Sequence, residues 1–284
     1  MNAPLSASEN LAAATEKLAA VLNEMGGVAV AVSGGVDSLT LATFAHRRLG
    51  KSAIMYHAVS AAVPPQATER TRTLAAQEGW DLRVVDAGEF GSEDYVRNPA
   101  NRCYFCKTHL YATVTRHSKV QVVSGTNIDD LGDYRPGLTA AKEHAVRHPF
   151  VEAGLSKQDV RALARELGLP EIAELPSSPC LSSRVETGIA IDPNILRAID
   201  RVERYLRQVL PELGLAIENV RCRYRIRGIV IELDGEIIAA LDNGQRSRFT
   251  DEARAAFAMT DKPVLFENYR LGSAFLHPIN LVRG

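Results

Sequence analysis

The chain has 284 residues, of which 46% are hydrophobic and 24% are charged, and its formal net charge is −1. This length predicts about two domains, and the composition excludes wholesale disorder and a general nucleic-acid coat. No stretch reaches the roughly 18 apolar residues of a membrane span, and the charged N-terminal segment does not resemble a signal peptide. Because the four cysteines come without an export signal, we expect reduced thiols in a cytoplasmic protein with no membrane contact.

The first 175 residues predict strands that alternate with helices. The predicted helices cover the first 25 residues, 39–50 and 66–79. The predicted strands lie at 28–32, 52–60, 81–87 and 119–125. This alternation indicates an α/β domain built on a doubly wound parallel sheet, and the apolar strands indicate a sheet covered on both faces.

The pattern changes near residue 175, where the segment LPSSPCLSSRVETG indicates a functional loop or a domain boundary. Beyond it, the sequence predicts an amphipathic helix at 191–210 and two strands at 218–226 and 228–234. Further helical segments follow, and a short last strand lies at 264–269. We therefore predict two domains, residues 1–175 and residues 176–284, the second being a smaller α+β domain.

A glycine loop, SGGVDS, directly follows the first predicted strand and opens a helix. Glycines let backbone N–H groups approach a phosphate, and the helix N-terminus adds a positive dipole. Ser33, Asp37 and Ser38 could hold phosphate oxygens and the water shell of Mg²⁺. The loop lacks the G-K-[ST] ending of a Walker A loop, so we expect no lysine at the β- and γ-phosphates and no simple γ-phosphoryl transfer. A purely structural turn is the alternative.

This loop resembles the PP-loop of the N-type ATP pyrophosphatases, whose signature is SGG-x-DS. The resemblance implies the adenine nucleotide alpha hydrolase-like sheet and cleavage of ATP between its α- and β-phosphates, with release of pyrophosphate. It also implies nucleotide contacts from Ser33, Gly34, Gly35, Asp37 and Ser38.

The cysteines form a second constellation. Cys103 and Cys106 make a C-x-x-C pair in NRCYFCK, and Cys180 stands in PCLSSR. Three cysteines in expected loops are compatible with buried thiols, zinc, redox chemistry or an iron–sulfur cluster with one open iron. Cys180 could equally be a nucleophile whose thiolate is favoured by Arg184. Cys222 lies on a predicted strand and is expected to face the core.

Five motifs together resemble the LarE family of sulfur transferases, which act in assembly of the nickel-pincer nucleotide cofactor. They are SGGVDS, NRCYFCK, GTNIDDLGDYRPG, EAGLSKQDVRALARELGLP and PCLSSR. The resemblance implies that ATP adenylates the carboxylates of pyridinium-3,5-biscarboxylic acid mononucleotide, which sulfur then converts to thiocarboxylates. It implies that Cys180 carries the sulfur, next to Arg184.

The resemblance also bears on the sulfur source and the assembly. Family members with a cysteine pair resemble proteins that hold a 4Fe–4S cluster, so we expect a cluster on Cys103, Cys106 and Cys180, recharged by an unidentified sulfide donor. The alternative is a sacrificial Cys180, which gives up its own sulfur and becomes dehydroalanine. The family further suggests a homo-oligomer built of trimers.

Arginines alternate along the predicted strand 218–226, so their side chains share a face. Arg221 and Arg223 match family residues that resemble a clamp for the substrate phosphate, a role that suits guanidinium forks. For Arg225 and Arg227 we expect a solvated face. Glu232 could hold a metal or orient an arginine, but we expect an exposed strand carboxylate.

A last motif follows the fourth predicted strand, at the edge where open α/β sheets bind ligands. By resemblance, Gly125, Thr126 and Asn127 line the AMP moiety. Asp129 and Asp130 could serve Mg²⁺, although adjacent loop acids are often only solvated or helix-capping.

Other functions remain open at this point. A PP-loop tRNA thiolase is disfavoured by the net charge of −1 and the lack of an evident RNA-binding segment, so we expect no nucleic-acid partner. An ammonia-dependent amide synthetase lacks a recognisable glutaminase domain and leaves the cysteines without a purpose. A non-catalytic nucleotide sensor would show no pyrophosphate release on addition of the pyridinium substrate.

Overall fold

A computed structural model describes residues 7–132, 136–177, 179–258 and 261–270. The chain forms two compact units, each made of two separate stretches. The first unit combines Met1–Glu89 with Cys103–Ser178, and the second combines Phe90–Arg102 with Pro179–Gly284. The domain division after residue 175 stays a prediction.

A parallel sheet of four strands forms the centre of the first unit. Its strands are β1 (Val28–Ala31), β2 (Ala53–Ala58), β3 (Asp81–Val85) and β4 (Gln121–Ser124). They lie in the order β3-β2-β1-β4, with Val28 of β1 beside Ala53 on one side and Gln121 on the other.

The helices have the following bounds: α1 (Ala7–Met25), α2 (Val36–Leu49), α3 (Pro65–Glu78), α4 (Glu93–Val96), α5 (Arg102–His117), α6 (Pro136–Glu143), α7 (Pro149–Ala153), α8 (Lys157–Glu166), α9 (Pro170–Ala173), α10 (Pro193–Glu212), α11 (Gly235–Ala240) and α12 (Asn243–Phe257). Among the described residues, no helix is long and apolar enough to cross a membrane.

Helices cover both faces of the parallel sheet. Val28 and Val30 of β1 belong to an apolar core with residues of α1, α2 and α8. Ala29 and Ala31 point to the opposite face, into a second core that includes Tyr111 of α5. Because successive strand residues alternate between faces, an all-apolar β1 needs both layers. The predicted doubly wound α/β fold is confirmed.

The edge strand β3 departs from the expected pattern of burial on both faces. Asp81, Arg83 and Val84 are exposed, and Arg83 pairs with Asp81 at 3.1 Å. Strand β3 has a neighbouring strand on one side only, so its charged side chains can stay in solvent. Such charges also discourage another chain from pairing with the open edge of the sheet.

A smaller sheet organises the second unit. It consists of β5 (Val220–Arg225), β6 (Gly228–Leu233) and β7 (Val264–Asn268), with β5 antiparallel and β7 parallel to the central β6. On one face, Tyr224 stacks on Phe257 of α12 with ring centroids 5.8 Å apart. The predicted smaller α+β domain is consistent with this arrangement.

The second unit is also held by a residue from its earlier stretch. The buried Asn98 side chain donates hydrogen bonds from Nδ2 to the carbonyls of Val185, Glu186 and Ile189, at 3.3, 2.9 and 2.9 Å. The Gly188 N–H in turn donates to the Asn98 carbonyl at 3.0 Å. One asparagine therefore fixes the path of the chain just after Arg184.

Candidate functional site

The loop between β1 and α2 is closed by its two serines. The Ser33 N–H donates to Ser38 Oγ at 3.1 Å, and the two hydroxyl oxygens also lie 3.1 Å apart. Ser38 Oγ donates to the Gly35 carbonyl at 3.1 Å. Helix α2 begins directly after the glycines, and among the described residues no side chain caps it. An uncapped helix N-terminus behind a glycine loop is an arrangement that can receive phosphate.

Gly34 has a backbone conformation and surroundings that exclude a side chain. Its φ is +80°, and a Cβ there would lie 2.5 Å from the Ala67 carbonyl oxygen of α3. The Arg70 guanidinium of α3 donates to the Gly34 carbonyl at 2.5 Å. Helix α3 therefore fixes the loop and brings a positive charge beside it.

The motif after β4 meets this loop. A Cβ on Gly125 would lie 2.8 Å from the Asp37 carbonyl carbon, so only glycine allows so close an approach. The buried Asn127 donates from Nδ2 to Asp37 Oδ1 at 3.1 Å. Thr126 Oγ1 lies 3.1 Å from Ser124 Oγ. The structure thus brings together two groups of predicted nucleotide-binding residues that are distant in sequence.

A lysine that the sequence reasoning missed completes this cluster. Lys157 Nζ donates to Asp37 Oδ2 at 2.5 Å, so a lysine from outside the SGGVDS loop lies beside it, while the absence of a lysine at the β- and γ-phosphates stays a prediction. Lys157 is the first residue of α8, whose start is fixed by a capping box between Ser156 and Asp159. The lysine comes 120 residues after Asp37, and only its place in the motif EAGLSKQDVRALARELGLP marked it.

The two loop acids Asp129 and Asp130 bind backbone groups. Asp129 Oδ2 accepts a hydrogen bond from the Lys157 N–H at 2.6 Å. Asp130 Oδ2 accepts from the Asn127 N–H at 3.2 Å. The capping alternative therefore describes their contacts, and a role toward Mg²⁺ stays a prediction.

In the second unit, Cys180 is exposed directly before a 3₁₀ turn, Leu181–Arg184, whose residues are all buried. Arg184 donates from Nη1 to the carbonyls of Pro179 and Cys180, at 2.7 and 3.4 Å. Its Nε and Nη2 donate to the two carboxylate oxygens of Glu203, at 3.0 and 3.2 Å. The guanidinium therefore holds the backbone that presents the Cys180 thiol, and Glu203 neutralises its charge.

The arginines of β5 lie inside the second unit. Arg221, Arg223 and Arg225 are buried, and Glu232 is only 2% exposed. Arg223 Nε donates to Glu232 Oε2 at 2.7 Å, and Arg225 Nη2 donates to Glu232 Oε1 at 2.6 Å. The expected solvated face for Arg225 and the exposed position for Glu232 are therefore wrong, because the carboxylate bridges two guanidinium groups. Arg227 is exposed, as expected.

Arg221 and Arg223 also engage neighbouring backbone and rings. Arg221 Nη1 donates to the Val220 carbonyl at 2.8 Å, and its guanidinium lies 5.6 Å from the Tyr269 ring centroid. Burial lowers the pKa of Arg221, which still leaves it a cation at neutral pH. Arg223 Nη1 donates to the Ser183 carbonyl at 3.1 Å, so it touches the turn that follows Cys180.

A cavity of about 540 Å³ opens at the β6–β7 side of this sheet. Its lining includes three arginines and two glutamates: Arg225, Arg227, Arg270, Glu232 and Glu267. Three cations against two carboxylates leave a local positive excess, which suits an anionic ligand.

The C-x-x-C pair lies on a helix, so its expected loop position is wrong. Cys103 and Cys106 are half-buried in the first turns of α5, on one helix face. Cys222 is fully buried, as expected, and burial raises the pKa of its thiol well above the usual value.

Three thiols are suitable ligand chemistry for an iron–sulfur cluster. However, the described residues contain no group of three or more His, Cys, Asp or Glu side chains placed to hold a metal ion. The C-x-x-C pair belongs to the first unit and Cys180 to the second, so a cluster on Cys103, Cys106 and Cys180 stays a prediction.

Comparison with known proteins gives three informative relatives, while no protein-family profile matches the chain. The chain is 38% identical to an uncharacterized protein of Synechocystis sp., over 78% of this chain and 82% of that protein. It is 30% identical to the pyridinium-3,5-bisthiocarboxylic acid mononucleotide synthase of Lactiplantibacillus plantarum, over 74% of this chain and 76% of the relative. It is 28% identical to one component of the glutamine-hydrolyzing GMP synthase of Methanopyrus kandleri, over 55% of each chain.

Proposed function

Because the chain belongs to the family of the pyridinium-3,5-bisthiocarboxylic acid mononucleotide synthases, the LarE family, we propose that it uses ATP to insert sulfur into the carboxylates of pyridinium-3,5-biscarboxylic acid mononucleotide. The observation that carries this proposal is the exposed Cys180 thiol, presented by a buried turn that Arg184 holds. An accessible thiol on a rigid support is what delivery of sulfur to an activated acyl group requires.

The first step is adenylation of the substrate carboxylate. A carboxylate oxygen attacks the α-phosphorus of ATP, the bond from the α-phosphorus to the bridging oxygen breaks, and pyrophosphate leaves. The N–H groups at the start of α2, with Ser33, Gly34, Gly35 and Ser38, receive the phosphates, and Gly125, Thr126 and Asn127 line the AMP moiety. Mg²⁺ at Asp37 would neutralise charge on the phosphate oxygens.

The second step transfers sulfur. The sulfur nucleophile attacks the acyl carbon, the bond from that carbon to the AMP oxygen breaks, and AMP leaves. Arg221 and Arg223 hold the phosphate of the pyridinium nucleotide, and Arg184 keeps the Cys180 backbone in place. In a sacrificial route, loss of the Cys180 α-proton and cleavage of its Cβ–S bond release the thiocarboxylate and leave dehydroalanine.

The sulfur source distinguishes two forms of this proposal. In the first, Cys103, Cys106 and Cys180 would hold a 4Fe–4S cluster, which would supply a renewable sulfide. The C-x-x-C pair on α5 supports this form. In the second, Cys180 gives its own sulfur once per chain. We further propose a cytoplasmic homo-oligomer built of trimers, on the strength of the family likeness alone.

The test is an assay with ATP, Mg²⁺ and the pyridinium dicarboxylate nucleotide. Released pyrophosphate is quantified, and the mass of the product is determined by mass spectrometry. We expect pyrophosphate release that depends on the nucleotide, and a product in which oxygen is replaced by sulfur. Pyrophosphate release that depends on tRNA instead, with salt-sensitive tRNA binding, would support the thiolase alternative. If neither acceptor supports pyrophosphate release, the non-catalytic nucleotide sensor is the function that is supported.

Iron and acid-labile sulfide per chain, measured after anaerobic reconstitution, separate the two sulfur sources. About four irons per chain, lost in Cys103→Ala, Cys106→Ala and Cys180→Ala, would establish the cluster. No iron, together with a mass loss at Cys180 equal to that of H₂S after one turnover, would establish the sacrificial route.

A further inference from the structure

The carboxylate of Asp37 has a hydrogen-bond donor on each of its oxygens. Asn127 Nδ2 donates to Oδ1 at 3.1 Å, and Lys157 Nζ donates to Oδ2 at 2.5 Å. Lys157 contributes a full positive charge at contact distance, so the ammonium group occupies one of the cation-binding positions of Oδ2. A divalent ion that approaches this oxygen competes with the ammonium group and is repelled by its charge.

Lys157 also engages a second acid of the same cluster. Its backbone N–H donates to Asp129 Oδ2 at 2.6 Å, while Asp130 is bound to the Asn127 N–H. The capping box at the start of α8 fixes the Lys157 backbone, so the contact with Asp129 does not depend on the lysine side chain. The three carboxylates beside the glycine loop are therefore all engaged by nitrogen donors of the chain.

A bound nucleotide competes with Asp37 for the Lys157 ammonium group because its phosphates bring anionic oxygens. The Lys157 side chain is 37% exposed and that of Asp37 is 25% exposed, so the ammonium group can leave on its flexible four-carbon stem. With phosphates in the glycine loop, the ammonium group can exchange its carboxylate partner for a phosphate oxygen. Mg²⁺, which is usually bound by one or two carboxylates plus substrate phosphates, can then bind Asp37 and the phosphates together.

We propose that Lys157 is a positioning residue that occupies the cation position on Asp37 until nucleotide binds, so that the metal enters with ATP rather than before it. This inference rests on the proposed use of ATP. It predicts an asymmetry that a merely structural ion pair would not produce: removal of the lysine charge strengthens metal binding without nucleotide and weakens it with nucleotide.

The experiment measures Mn²⁺ binding by electron paramagnetic resonance, with and without α,β-methylene-ATP, which cannot be cleaved between its α- and β-phosphates. The variants are Lys157→Met, which removes the charge, and Lys157→Arg, which keeps it. Lys51→Met, at an exposed position in the same unit, is the matched control, and Asp37→Asn removes the carboxylate. Thermal melts and circular dichroism verify that each variant is folded.

Without nucleotide, we expect Lys157→Met to bind Mn²⁺ about fivefold more tightly than the unmodified protein, the order of a partly exposed ion pair. With the analogue, we expect it to bind Mn²⁺ more weakly. Lys157→Arg and Lys51→Met should behave as the unmodified protein, and Asp37→Asn should lose the site.

Nucleotide-free Mn²⁺ affinity that is equal or lower in Lys157→Met would overturn the inference, as would a metal site that survives Asp37→Asn. If Lys157→Met does not fold, a Lys157→Arg protein that binds free Mn²⁺ tightly would overturn it too. Failure of the unmodified protein to bind the analogue would instead reject the proposed use of ATP, which keeps the two failures apart.

Discussion

Glu203 receives the guanidinium of Arg184 on both carboxylate oxygens, at 3.0 and 3.2 Å, and both residues are buried. The same Glu203 Oε1 accepts a hydrogen bond from the Cys222 N–H at 3.0 Å. One carboxylate of α10 therefore connects strand β5 to the turn that presents Cys180. Since buried ion pairs add little net stability, the main effect of this pair is to fix the position of Arg184.

Replacement of Glu203 by glutamine should be strongly destabilising. The change leaves the buried Arg184 charge without its counter-ion, which typically costs about 3–5 kcal/mol of unfolding free energy. Chemical denaturation measures the loss. Glu252→Gln is the matched control, because Glu252 pairs with the exposed Arg201 and such pairs contribute about 1 kcal/mol or less. Equal effects of the two changes would contradict the role given to Glu203.

A methyl group at Gly125 should damage the proposed nucleotide site. Its Cβ would lie 2.8 Å from the Asp37 carbonyl carbon and 2.9 Å from the Ser38 nitrogen, and overpacking of this kind costs about 1–3 kcal/mol. We expect Gly125→Ala to weaken binding of an ATP analogue at least about fivefold, as measured by calorimetry. Gly91→Ala, where a Cβ would meet no atom within 4 Å, should bind as the unmodified chain does.

The cysteines should separate sharply in reactivity and function. Cys180 is exposed and should react first with a thiol reagent, while the buried Cys222, whose thiol pKa is raised, should react only on unfolding. Cys180→Ala should abolish sulfur transfer but keep pyrophosphate release that depends on the substrate. Cys222→Ala should keep both reactions. Loss of both reactions in Cys180→Ala would show that the cysteine is also needed for adenylation.

Stability should fall as the pH decreases below neutrality, partly because of His57. Its ring bridges the Val32 carbonyl and the Thr68 hydroxyl, at 2.8 and 2.9 Å, and its pKa is lowered mainly by desolvation. Below about pH 6.5, the unfolded chain takes up a proton on His57 that the folded chain lacks. The loss of stability continues until the pH passes the lowered folded pKa. Burial lowers the pKa of His148 as well, which adds a loss in the same direction.

Thermal melts between pH 5 and pH 8 check this expectation. His57→Gln should show a smaller drop in Tm toward pH 5 than the unmodified chain. His117→Gln, at an exposed position, should show the unmodified pH dependence. If His57→Gln shows the same drop in Tm toward pH 5 as the unmodified chain, groups other than His57 cause the loss of stability at low pH.

The sequence predicted the parallel sheet well because its signals are local. The strand from Val28 is apolar at every position, and the loop that starts at Ser33 has a specific spacing. The helix α5 was not predicted, because the cysteines of NRCYFCK were expected to lie in a loop.

Two other features depend on distant pairing, which a single sequence does not contain. Strand alternation placed Arg225 on the same face as Arg223, but the partner Glu232 is defined by the register of the antiparallel pair β5–β6. The contact between Lys157 and Asp37 depends on how α8 packs beside the sheet. Such contacts follow from tertiary structure and not from spacing along the chain.

The buried Asn98 has a consequence for synthesis on the ribosome. Its carbonyl partner at Glu186 lies 88 residues further along the chain, so at about 5–20 residues per second the wait is roughly 4–18 s. During this interval the nascent chain adds β4, Asn127 and α8 with Lys157, which supplies both side-chain partners of Asp37. Phe90–Arg102 must meanwhile stay available, exposed to solvent or chaperones, until translation delivers its partners.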